Sequence, residues 1–214
     1  MFVDTTRITD PYIYVWEKTV PQEKCKNIID KFEQNIKDSE QGVTFRGVNL
    51  HVKNSKDIFI ADHLDKWKEE DDLFFNAINE SFLAYFKHLN DVSNYRYFTT
   101  NEKYKYLPVN DEIIDSGYQI QKTEPGKGYV WHNDFAFQNN LVRTLTFILY
   151  LNTVEEGWTQ FYNVDQVAPV GGRVVIFPAT WTYVHQGYPP KQTKYIMTGW
   201  LHAKPQKQQK NGET

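Results

Sequence analysis

Arg143-Thr-Leu-Thr-Phe-Ile-Leu-Tyr-Leu151 is the stretch that decides the architecture. Aromatic and branched side chains suit a pleated surface. The apolar run Phe147–Leu151 has no polar interruption, as expected of a strand covered on both faces. Downstream, Thr159–Tyr162, Gln166–Ala168, Arg173–Phe177 and Lys194–His202 read as further strands, separated by Gly and Pro signals. Upstream, Tyr118–Gln121 alternates apolar and polar, and Pro125-Gly126-Lys127-Gly128 is a turn. Short strands at this spacing predict a mainly β domain, a double-sheet jelly roll or double-stranded β-helix.

The first half reads differently. Residues 12–16 form a short opening strand. Pro21, with Ile28, Ile29, Phe32 and Ile36 at helical spacing, predicts an amphipathic helix over 21–37. A polar stretch with Gly42 and Gly47 breaks that pattern. A second helix is expected from about Asp65 to Leu89, with acids in its first turns. Both helices should pack outside the sheets. Asn90–Asp115, rich in Tyr, Asn and Lys, has no clean period and reads as a long excursion, either a lid or a solvated hairpin. The expectation is one domain over 1–204, with a helical lead-in to about 115, a jelly-roll core over 116–204 and a polar tail over 205–214.

Composition narrows the function. The chain has 214 residues with 40% hydrophobic and 16% aromatic content, enough for a packed core. A net charge of −3 gives no pull toward nucleic acid or an anionic membrane. No apolar run approaches the length of a membrane-spanning helix. Cys25 is the only cysteine, so no internal disulfide forms. With no signal-peptide pattern at the N-terminus, the expected setting is reducing and cytoplasmic.

The chemistry-bearing residues are His132 and Asp134 in Tyr129-Val-Trp-His-Asn-Asp134, together with His185. Two histidines and a carboxylate can hold one face of an octahedral metal and leave the other open, the facial triad of non-haem Fe(II) oxygenases. The pair follows a turn, at a strand end, and residues two apart on a strand share a face. A second His-x-Asp, His63-Leu64-Asp65, sits at a helix start and takes a capping or surface role. Zinc is the rival metal. Zinc hydrolases usually set their histidines on a helix, as in H-E-x-x-H, which is absent here. Lys194, nine residues after His185, is placed to meet an anionic ligand.

At these residues the chain resembles the 2-oxoglutarate- and Fe(II)-dependent dioxygenases, in their prolyl 4-hydroxylase-like branch. The runs that carry the resemblance are Glu124–Tyr129, Arg143–Asn152, Val154–Gly157, Pro169–Pro178 and Lys194–Trp200. They cover about Tyr118 to His202. The resemblance implies that His132, Asp134 and His185 hold Fe(II) and that Lys194 pairs with the distal carboxylate of 2-oxoglutarate. It implies that Tyr129 and Tyr150 are pocket tyrosines and that Trp200 is an aromatic wall beside the cosubstrate. Arg143 resembles an arginine that reaches substrate in prolyl hydroxylases. Trp131, Trp181 and Tyr183 flank the ligands and are candidates for the substrate mouth.

Two departures stand out. Thr123 occupies a position where the branch often has tyrosine. Gly157-Trp-Thr-Gln160 replaces a common Gly-Gly-Glu-Thr, leaving Thr159 and Gln160 as alternatives for the threonine's hydrogen bond.

The implied reaction hydroxylates an unactivated C–H, with 2-oxoglutarate and O2 as cosubstrates and ascorbate as an accessory reductant. The leading substrate is a prolyl residue in a peptide or protein. A free amino acid or other small molecule is the alternative. Nucleic-acid demethylation is disfavoured by the charge. A non-catalytic cupin-like metal-binding module is the non-enzyme reading.

Overall fold

The computed structural model describes residues 2–44, 46–92, 113–138 and 141–203. The chain opens with β1 (Tyr14–Trp16) and α1 (Gln22–Gln34). Four short strands follow: β2 (Glu40–Gln41), β3 (Val43–Thr44), β4 (Gly47–Val48) and β5 (Lys56–Phe59). The long helix α2 (Leu64–Val92) comes next. Then come β6 (Ile113–Asp115), β7 (Gln119–Thr123), β8 (Tyr129–His132), β9 (Phe137–Gln138) and β10 (Leu141–Tyr150). The chain continues through β11 (Thr159–Phe161), β12 (Gln166–Val167), β13 (Val174–Pro178), β14 (His185–Gly187) and β15 (Lys194–Ala203).

These strands make two main sheets. The larger runs β1-β13-β10-β15-β7-β5-β2, with β6 on β15 and β9 on β10. The smaller runs β12-β11-β14-β8. From β7 on, the chain crosses repeatedly between them: β7, β10, β13 and β15 lie in the large sheet, and β8, β11, β12 and β14 in the small one.

β10 shows why the apolar run is unbroken. Phe147 and Leu149 belong to the core under the helices, while Ile148 and Tyr150 belong to the core with Phe161, Val167, Val175 and Phe177. Alternate residues of one strand thus serve two cores. α1 contributes Cys25, Ile28 and Phe32 to the first core, and α2 contributes Trp67, Phe74, Ile78, Phe82 and Tyr85. Each fully buried side chain such as Phe147 contributes about 1.5–3 kcal/mol. Both helices therefore cover the large sheet, and the opposite face is left for the site.

Some expectations need correction. α1 ends at Gln34 rather than 37, followed by one 3₁₀ turn over Ile36–Asp38. The Asn35 side-chain amide donates to the Lys31 carbonyl at 2.8 Å, satisfying an end carbonyl and stopping the helix. The polar stretch around Gly42 contains β2 and β5, which extend the large sheet beyond β7. Buried Asp57 interrupts the apolar alternation of β5 and hid that strand. Residues 93–112 of the Asn90–Asp115 excursion, and the polar tail, lie outside the described residues. Among the described residues, no helix is long and apolar enough to cross a membrane.

Candidate active site

His132 ends β8 and His185 begins β14, and the two are directly paired across these antiparallel strands. The β14–β8 pairing thus closes the long sequence gap between the histidines. Their ring centroids lie 4.3 Å apart. Asp134 does not share an extended strand with His132, as the sequence reading assumed. β8 stops at His132, and the Asn133 side chain accepts the Phe135 N–H at 3.2 Å, turning the chain. Asp134 is instead aimed by Thr146 of β10, whose hydroxyl donates to Oδ2 at 2.7 Å. Its Oδ1 lies 3.7 Å from His132 Nε2 and its Oδ2 lies 3.6 Å from His185 Nε2. One ligand atom from each of the three falls within 4.8 Å of the others.

The tautomers follow from the neighbours. His132 Nδ1 is 2.7 Å from the Val130 carbonyl, and His185 Nδ1 is 3.0 Å from the Tyr183 carbonyl. A carbonyl only accepts, so each Nδ1 carries the proton and each Nε2 presents a lone pair toward Asp134. Burial, and then the neighbouring imidazole, push the His132 pKa down, which favours the neutral ligand form. Burial works against an ionised Asp134. Attraction to the imidazoles in their protonated form, followed by the Thr146 and Trp200 contacts, outweighs it and holds the carboxyl below its ordinary range. The Trp200 indole N–H makes no hydrogen bond of standard geometry among the described residues, yet its approach to Asp134 adds to the lowering.

A cavity of about 970 Å³ opens on this cluster. Lys194, at the start of β15, lines it and is 5% exposed. Its ammonium donates to the Gly157 carbonyl at 2.7 Å, and among the described residues no carboxylate pairs with it. Burial lowers its pKa to about 8. A buried ammonium with a neutral acceptor and no counter-ion suits an anionic ligand. Thr123 stands opposite Lys194 in the β7–β15 register. The Tyr150 hydroxyl donates to Thr159 Oγ1 at 2.6 Å, and both residues line the cavity. Gln160 points the other way and accepts from the Gln186 amide at 2.7 Å, so Thr159 is the cavity-facing member of the pair.

Tyr129 stacks on His132 with centroids 3.5 Å apart and planes at 13°. Burial, followed by the nearby Asp134 charge, raises its phenol to about 12, so it stays protonated. The Arg143 guanidinium lies 3.7 Å over the Trp200 ring, and both residues line the cavity. Trp131 and Trp181 do not line it. Trp131 is exposed and packs edge-on against Tyr162, and Trp181 is 68% exposed. Tyr183 directs its hydroxyl to Asp10. His63 lies at the turn into α2, away from the cavity. Lys53, Ser55, Gln119 and Gln121 line the cavity and escaped the sequence reading. Their only signal was opposite charge at Lys53 and Asp57, which has no fixed meaning without a known fold.

Gly157 holds the lysine geometrically. Its φ is +69°, and a Cβ there would meet Pro190 Cβ at 2.9 Å and Lys194 Cδ at 3.3 Å. Gly157→Ala should displace the ammonium and weaken 2-oxoglutarate binding by about tenfold, one charge-assisted contact's worth. Calorimetric titration of the metal-loaded protein checks this.

A family model described as the 2OG-Fe(II) oxygenase superfamily matches residues 118–202. Residues 118–202 form a 2OG-Fe(II) oxygenase domain. The matched segment spans β7 to β15 and contains the His-Asp-His cluster and Lys194. Fe(II), 2-oxoglutarate and O2 are therefore its cofactor and cosubstrates. The donor set fits: two free imidazole lone pairs and an ionised carboxylate converge on one point.

Solved structures show that this oxygenase shares the prolyl hydroxylase fold. A viral collagen prolyl hydroxylase from Paramecium Bursaria Chlorella virus-1, in its 2OG complex, superposes with a TM-score of 0.60 at 16% identity, covering 90% of this chain and 96% of that one. A prolyl hydroxylase from Trichoplax adhaerens, complexed with a hypoxia inducible factor oxygen degradation domain peptide fragment, gives 0.64 at 14% identity, covering 90% and 84%. A Pseudomonas putida prolyl-4-hydroxylase gives 0.56 at 14% identity, covering 88% and 91%. No curated protein matches the sequence.

Proposed function

We propose that this oxygenase hydroxylates a prolyl residue in a peptide or protein. The two sheets are read as a double-stranded β-helix in a single domain, with α1 and α2 outside it. His132, Asp134 and His185 hold Fe(II). The observation that carries the reading is their convergence within 4.8 Å in the cavity that Lys194 also lines, where its ammonium has no carboxylate partner among the described residues.

When bound, Fe(II) and 2-oxoglutarate supply the O2 activation that hydroxylates a C–H, with release of succinate and CO2. The chain's own residues do the rest. His132 and His185 present Nε2, their other nitrogens fixed by backbone carbonyls. Thr146 fixes the Asp134 carboxylate. Lys194 binds the distal carboxylate of the cosubstrate, with Tyr150 and Thr159 beside it as a hydrogen-bonded pair. Trp200 walls the cavity and stacks under the Arg143 guanidinium, whose Nη1 also reaches the Asp134 carbonyl at 3.5 Å, and Arg143 is the residue proposed to meet substrate. The peptide assignment draws on the shared fold and on the peptide held by the Trichoplax adhaerens enzyme.

Anaerobic titration of Fe(II)-loaded protein with 2-oxoglutarate tests the cofactor assignment. The visible charge-transfer band of the chelate should appear and saturate at one equivalent. A folded, iron-loaded protein with no band would sink it. Proline-rich peptides and free L-proline, each assayed for a mass gain of one oxygen, test the substrate class. Hydroxylation of free L-proline alone would overturn the peptide reading.

A further inference from the structure

Lys53, Ser55 and Asp57 form a buried polar cluster that lies outside the segment matched by the family model. The Lys53 ammonium donates to Asp57 Oδ2 at 2.6 Å, and the Ser55 hydroxyl donates to Asp57 Oδ1 at 2.8 Å. The side chains of the ion pair are 6% and 1% exposed. Burying both charges is costly, and an apolar pair would usually be at least as stable. Stability alone therefore gives no reason for this arrangement.

Its place in the fold does. Asp57 lies on β5, in the large sheet, opposite Gln121 of β7. Lys53 pairs with Tyr129 of β8, in the small sheet. On either side of that bridge, Val130 N–H donates to the Val52 carbonyl at 2.9 Å and Asn54 N–H donates to the Gly128 carbonyl at 3.0 Å. Val130 is the residue whose carbonyl fixes His132 Nδ1, and Tyr129 is the residue stacked on the His132 ring. Lys53 thus ties to the large sheet the backbone that orients one imidazole. Gly42 keeps the cluster tight: a Cβ there would fall 2.4 Å from Ser55 Oγ and 3.2 Å from Asp57 Oδ2.

We propose that the Lys53–Asp57 pair is a positioning device for His132, a clamp between the two sheets that holds the imidazole in its liganding orientation. The proposal rests on the metal assignment made above. Lys53 itself touches no metal, and its effect passes through Val130 and Tyr129. Outer partners of this kind typically tune metal affinity by about ten- to a hundredfold.

The test compares wild type with Lys53→Met/Asp57→Asn, which removes both charges together and keeps an acceptor for Ser55. Co(II) is titrated anaerobically and followed by its visible ligand-field bands. The Fe(II)–2-oxoglutarate band is recorded alongside, and metal-free melting temperature is measured separately. The double variant should melt near wild type, bind Co(II) about ten- to a hundredfold more weakly, and show shifted bands. Lys53→Arg, which keeps the charge pair, should recover most of the affinity. Wild-type Co(II) affinity and bands in the double variant would overturn the proposal, whatever its melting temperature. Wild type that binds no Co(II) would overturn the metal assignment and this inference together. Should the double variant not fold, Gly42→Ala disturbs the clamp without altering charge and is read the same way.

Discussion

Replacing His185 by alanine should abolish Fe(II) binding and turnover while leaving the protein folded. Outer partners of a ligand are worth about ten- to a hundredfold in metal affinity, so loss of a ligand itself should cost on the order of a thousandfold or more. The fold should tolerate the change because the ring packs at the cavity edge of β14, against Phe161 and Phe177, rather than within the helix-covered core. Truncation leaves a cavity there, so a modest fall in melting temperature is expected. Metal analysis after anaerobic loading and desalting, together with a far-ultraviolet dichroism spectrum, separates the two effects. Stoichiometric iron in folded His185→Ala protein would remove this histidine from the ligand set.

Lys194→Met should weaken 2-oxoglutarate binding with little effect on metal loading. Deleting one partner of a buried charge pair costs about 2–5 kcal/mol. That is between about thirtyfold and a few thousandfold in affinity. Methionine fills much the same space without a charge, so the side-chain volume beside Gly157 is retained. The pH dependence gives a second signature. Burial depresses the free-site pKa of Lys194 to about 8, below its ordinary value. Below pH 8 the ammonium is present and the dianion is bound at full strength. Above it the free lysine is neutral, binding must take up a proton, and affinity should fall by about tenfold per pH unit. Lys194→Met should lose this slope. Isothermal titrations from pH 6.5 to 9.5 would show it, and a variant with the wild-type slope would assign the ionisation to another group.

Legibility from sequence varied with the range of the interaction. The unbroken run in β10 was readable because both faces of that strand are buried, a local consequence of its central place in the sheet. α1 and α2 were readable because an apolar stripe repeats along each. β5 was not, because its buried Asp57 is satisfied by Lys53 and Ser55 and so breaks the alternation. The Asp134 geometry was misread for a related reason. Strand periodicity cannot show where β8 stops, and the aim of the carboxylate comes from Thr146 on another strand.

The sequence by itself determined the candidate ligand residues, the lysine downstream and the β-rich second half, because each depends on residue identity and short spacing. Only the tertiary structure decided which residues meet. The β14–β8 register sets His185 beside His132, and the alternation of β11 turns Thr159 rather than Gln160 into the cavity. Trp131 and Trp181 flank the ligands in sequence yet lie outside the cavity. The clamp at Lys53 also belongs to the tertiary structure. A buried charge is stable only where a partner arrives from elsewhere in the fold, and strand pairing brings that partner into place.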